Sequence, residues 1–131
     1  MWLVFCTIPY LERIKDMRRY AYLKSPIQCN KKDRIYKIML YTVNDGVYLF
    51  EYCSSDALMC SFDSFYEDIN DLYEVWNNEI DERGWIDIDD PLPDCQHDAF
   101  LPIRVKGRNT GKPEWGEYEI FEDGVWRNYI P

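Results

Sequence analysis

Only one histidine, His97, stands among the 131 residues, so a Ser–His or Cys–His hydrolase built on this chain has a single choice of base. The five cysteines (Cys6, Cys29, Cys53, Cys60, Cys95) are an odd number and contain no C-x-x-C pair. That argues against a disulfide framework or a zinc knuckle and fits a reducing cytoplasm. The apolar opening stretch from Trp2 to Tyr10 has no Lys or Arg before it and no small-residue cleavage pattern after it. It is also too short to span a bilayer, so neither a signal peptide nor a membrane partner is expected. Met17 opens a second possible start, "MRRYAYLK", which makes residues 1–16 a candidate N-terminal extension. There is no internal repeat and no low-complexity tract.

Basic residues are missing from the middle. Between Asp45 and Asp98 there are sixteen Asp and Glu residues against one cation, Arg83. Residues 1–44 hold nine basic and three acidic residues, and residues 99–131 hold five of each. The local balances of +6, −15 and 0 give the net charge of −9. Such a field attracts cationic surfaces and repels nucleic-acid backbone. The basic N-terminal residues (Arg13, Lys15, Arg18, Arg19, Lys24, Lys31, Lys32, Arg34, Lys37) are expected to neutralise acidic neighbours or stay solvated. No aromatic–basic RNA motif accompanies them, so a nucleic-acid partner is not expected.

What is abundant is aromatic. Eleven Tyr, six Phe and five Trp bring aromatics to 17%, within an ordinary apolar fraction of 47%. The length predicts one domain, 1–131. A core of that size cannot hold every ring, so some are expected at the surface, where Tyr and Trp commonly anchor interfaces. The plainer alternative is that they fill cross-strand positions.

The pattern predicts an α+β fold: a mostly antiparallel sheet of five to seven strands with one long amphipathic helix packed on one face. Arg34–Val43 and Val47–Cys53 flank Asn44-Asp45-Gly46, a hairpin signal, and Ala57–Phe62 reads as a third strand. Ser64 and Glu67 form a capping box, followed by an apolar stripe of Phe65, Ile69, Leu72, Trp76 and Ile80. Gly84 supplies a left-handed stop after Arg83. Trp85–Ile88 and Ala99–Val105 read as further strands, and Glu122-Asp123-Gly124 marks a second hairpin between Glu114–Phe121 and Val125–Ile130.

Candidate chemistry is thin. Cys95 and His97 sit two residues apart and point to opposite faces if extended, which separates a nucleophile from its base. Asp87, Asp89, Asp90, Asp94 and Asp98 offer hard oxygens, but their spacing and two prolines fail an EF-hand loop. A zinc site from Cys95 and His97 lacks a spaced second pair. Gly107–Pro113 has three residues between its glycines where a phosphate loop needs four. No cofactor or metal is therefore expected.

The acidic region itself remains. Solubility alone explains many carboxylates on a helix. Glu79, Asp81 and Glu82, however, oppose the dipole near the end of the expected helix, which favours a functional reason for them. The sharper expectation is a docking surface for a basic protein. Asp87, Asp89, Asp90, Asp94 and Asp98 would supply the field, Glu74 and Asp81 would assist, and Trp85 would anchor.

The single compact domain, the acidic run Glu67–Asp98, the abundance of Tyr and Trp, and the absence of a catalytic constellation resemble small acidic immunity proteins of bacterial toxin systems. The block "DERGWIDIDDPLPDCQHDAFLPIRVKGR" (Asp81–Arg108) is similar to a stretch in small uncharacterised bacterial proteins. The resemblance implies an inhibitor that covers a toxin, often a basic nuclease, and carries no individual residue roles across. Two other readings stand beside it: a small hydrolase-like enzyme using Cys95 and His97, and a non-catalytic oligomeric or regulatory subunit.

Overall fold

A computed structural model describes residues 17–131 and gives an α+β fold with two antiparallel sheets, of five and three strands. The chain gathers into two compact units, the first ending at Asp89 and the second spanning Asp90–Pro131. The candidate extension, 1–16, lies outside the described residues. Among those described, no helix is long and apolar enough to cross a membrane.

The first unit is built from β1 (Arg18–Gln28), β2 (Arg34–Val43), β3 (Gly46–Tyr52), β4 (Phe62–Tyr66), the helix α1 (Ile69–Trp76) and β5 (Ile86–Ile88). Its strands lie in the order β4-β3-β2-β1-β5. The Asn44-Asp45 turn closes β2 onto β3 with Val43 opposite Gly46, although neither Asn44 nor Asp45 takes the positive φ that the turn signal implies. The alternation of the strands then sorts side chains onto two faces. Ala21, Ile38, Leu40, Val47 and Leu49 share the face that receives Leu72 and Trp76 of α1, and together they form the main core. Leu72 is fully buried, a gain of about 1.5–3 kcal/mol over leaving it in water.

The opposite face is buried too and is aromatic. Met39 stands opposite Phe50 and Lys37 opposite Tyr52, all four of them buried. The Lys37 ammonium lies 5.0 Å from the Tyr52 ring centroid, and its Nζ donates to the Ala57 carbonyl at 2.9 Å. Burial lowers the pKa of Lys37 to about 8.

The helix departs most from expectation. A helix from Ser64 to Gly84 is predicted; α1 has eight residues. Phe62–Tyr66 instead extends the sheet, with Phe65 opposite Tyr48 and Ser64 opposite Leu49. Ser64 therefore sits inside a strand and there is no Ser64–Glu67 capping box. The N-cap is Asp68, whose Oδ1 accepts from the Asn70 amide at 2.8 Å. Beyond Trp76 the chain turns back, and Ile80 forms a bridge with Leu23 rather than a further helical turn. The third strand likewise falls at 62–66 instead of 57–62. β1, absent from the strands expected from the sequence, is an inner strand between β2 and β5.

The second unit holds β6 (Ile103–Val105), a short 3-10 turn (Arg108–Thr110), β7 (Tyr118–Glu122) and β8 (Val125–Tyr129), in the order β6-β7-β8. Asp123 and Gly124 adopt φ of 51° and 81°, the left-handed pair that a two-residue hairpin requires. Cys95, Ala99, Ile103, Val105 and Ile120 are buried. Arg104 donates to Glu119 at 3.1 Å and lies 3.7 Å from the Trp126 ring centroid.

Candidate acidic docking surface

The expected docking residues divide between the two units. Glu74, Asp81, Trp85, Asp87 and Asp89 belong to the first, and Asp90, Asp94 and Asp98 to the second. Within the first unit they differ sharply in how far their charge is already used.

Asp87 lies opposite Arg19 across β5 and β1, and Arg19 Nε donates to its carboxylate at 2.8 Å. Asp81 is tied more tightly: Arg83 reaches Oδ2 with Nη2 at 2.6 Å and Nε at 3.0 Å, and donates its backbone amide to Oδ1 at 3.0 Å. The side-chain bond from Arg83, chiefly, holds the Asp81 carboxyl below its ordinary range. The same guanidinium stacks 3.8 Å from the Tyr22 ring centroid. Arg83 therefore clasps a loop onto β1 and caps no helix end. At Asp89 the backbone carbonyl accepts from Arg18 Nε at 2.8 Å, while the residue stays exposed.

Trp85 is half-buried, its indole donating to Asn77 Oδ1 at 2.7 Å and meeting Tyr73 edge-on at 5.9 Å. Its bonds are internal, so it braces the segment after α1 more than it offers an anchor. Trp76 is buried with its Nε1 bonded to the Tyr66 hydroxyl at 3.3 Å.

Glu74 is exposed, and its situation is general. Every Asp and Glu from Asp45 to Glu79 lacks an ion pair with a Lys or Arg among the described residues. No Lys or Arg occurs at all between Ile38 and Glu82. Asp45, Glu67 and Asp68 border an open cleft of about 640 Å³ whose wall also includes Val47 and Ile69. Glu51 is the exception in solvation: burial raises its pKa.

In the second unit Asp90 and Asp94 are exposed and Asp98 is half-buried. Asp94 takes a positive φ of 66°, a conformation Asp tolerates better than most residues. Cys95 is 1% exposed whereas His97 is exposed. A thiol covered to that degree presents no face to a substrate. Among the described residues no three His, Cys, Asp or Glu side chains gather closely enough to hold a metal ion.

One feature escaped the sequence reading. Tyr48, Phe62 and Phe65 are more than a third exposed at the β4 margin of the five-stranded sheet, Tyr48 and Phe65 on one face and Phe62 on the other. Tyr48 meets Phe65 edge-on at 5.0 Å and stacks along Phe50 at 6.1 Å. The spacing places Phe65 on a helical stripe facing a core, whereas in the structure it pairs with Tyr48 across β4 and β3, and Phe62-Asp63-Ser64-Phe65-Tyr66 has no strict alternation to signal a strand.

The chain matches no family model, no curated protein and no solved structure. The resemblance to acidic immunity proteins thus stands on the sequence features alone.

Proposed function

We propose that this protein is an acidic binding module that docks a basic protein, acting as an inhibitor in the manner of an immunity factor against a cationic toxin such as a nuclease. The observation that carries the reading is the stretch from Asp45 to Glu79, whose carboxylates form no ion pair with Lys or Arg among the described residues. A set of like charges left unpaired raises the local negative potential and speeds encounter with a cationic surface. Asp87 and Asp81 contribute less than their number suggests, because Arg19 and Arg83 already offset them. Glu74 and Asp89 keep their exposure, and Asp90, Asp94 and Asp98 add charge of the same sign in the second unit.

The test is kinetic. With the chain immobilised and purified basic proteins passed over it, a cognate partner should associate fast at low salt and far more slowly at high salt. Glu74→Lys with Glu79→Lys should lower that association rate about tenfold at low salt and little at high salt. Association that ignores both salt and these reversals would remove the reading. A gene for a large secreted toxin directly upstream would narrow the partner to that toxin.

A further inference from the structure

Among the described residues β4 is an outer strand of its sheet and pairs only with β3. In an antiparallel ladder alternate residues turn their N–H and C=O groups away from the neighbour, so half of the β4 backbone faces outward. Apart from the β3 ladder, no backbone hydrogen bond in the described residues reaches Phe62–Tyr66. Strand edges are commonly blunted by lysine or proline, and β4 has neither. The edge is also flanked by apolar surface: Phe62, Phe65 and Tyr48 are 37%, 44% and 38% exposed.

The charge beside this edge has one sign. Asp63 lies within β4, Glu67 and Asp68 follow it, and Asp45 occupies the neighbouring β2–β3 turn; all four are exposed and none is ion-paired among the described residues. Asp63 and Phe65, two apart in a strand, fall on the same sheet face as Tyr48. A strand laid against β4 would therefore meet a carboxylate and an aromatic pair side by side. Arginine suits both, since its guanidinium pairs with carboxylate and stacks on rings.

We propose that β4 is a strand-addition site for an extended segment of a protein partner carrying Arg or Lys on alternate residues. Backbone bonds to β4 would supply affinity, and Asp63 with the Tyr48–Phe65 pair would select cations. This inference rests on the reading of the partner as basic and specifies how that partner is held.

The experiment uses the full chain, isotopically labelled for amide exchange, and two short end-blocked peptides of equal charge. One alternates Arg with Val, the other Arg with Pro, which cannot donate to a ladder. The Arg–Val peptide should bind at least about tenfold more tightly and slow exchange at Phe62–Tyr66. Asp63→Lys and, separately, Phe65→Ser should each weaken it about tenfold while leaving the amide spectrum of the rest of the first unit in place. Equal binding of both peptides with β4 exchange unchanged overturns strand addition and leaves acidic docking standing. Binding of neither peptide at low salt removes both ideas. Protection of β4 that grows with protein concentration, without peptide, would identify a second copy of the chain as the occupant and overturn the cationic assignment.

Discussion

Arg19 and Asp87 face each other in register across β1 and β5, joined by a 2.8 Å bond from guanidinium to carboxylate. The basic start of the chain and its acidic centre meet there, so Asp87 spends part of its charge inside the molecule. The Asp87 side chain is nonetheless 81% exposed, which keeps the pair in a high dielectric. Asp87→Asn should lower unfolding free energy by less than about 1 kcal/mol in urea titrations. Asp87→Lys should also slow partner association less than Glu74→Lys does. A larger effect at Asp87 than at Glu74 would contradict the division between paired and unpaired carboxylates.

The start of α1 gives a second prediction. Asp68 caps the helix through the Asn70 amide, while Ser64 lies in β4 with its side chain exposed. Asp68→Ala should cost about 1 kcal/mol. Ser64→Ala should change stability by no more than about 0.5 kcal/mol. The reverse order in chemical denaturation would mean that the helix begins at Ser64.

Lys37 predicts a dependence on alkaline pH. Burial brings its pKa to about 8, below the ordinary 10.5. Between those values the unfolded chain holds a proton that the folded chain has released, so stability rises with pH across this window. The gain is complete above the unfolded value and lost as pH falls through about 8. Its slope is at most that of one proton, about 1.4 kcal/mol per pH unit. Lys37→Met should flatten that part of the urea-denaturation profile; an unchanged slope would assign it to another group.

Both hairpins could be read from the chain because their turns depend on local chemistry. Asp123-Gly124 supplies the left-handed pair that a tight reversal needs, and Val43–Gly46 closes with neither Asn44 nor Asp45 at positive φ, a turn open to most residues. The helix was over-extended for the opposite reason. Phe65, Ile69, Leu72, Trp76 and Ile80 keep a helical spacing, yet Phe65 pairs with Tyr48 and Ile80 bridges to Leu23. Those two positions obey tertiary partners that periodicity does not register. β1 carries only a weak strand pattern, because after its charged start, Arg18-Arg19, Ala21 and Leu23 alone are buried.

The sign of the acidic region was equally plain in the sequence, but its internal accounting was not. Asp81 and Glu74 look alike in a list of residues. One is held by Arg83 from two positions further along, and the other stands in solvent. Separating them requires knowing where the helix ends and where the loop turns, which is the part of the fold that the apolar stripe misreported.

The bond from the Trp85 indole to Asn77 and the burial of Trp76 have a practical outcome for spectroscopy. Trp115, at 77% exposed, is the described tryptophan most open to solvent. A soluble quencher should dim Trp115 first and leave buried Trp76 and half-buried Trp85 and Trp126 emitting at shorter wavelength. Quenching of the native protein thus isolates Trp115 as a reporter of the second unit, whose loss of selective quenching follows melting there without an added dye.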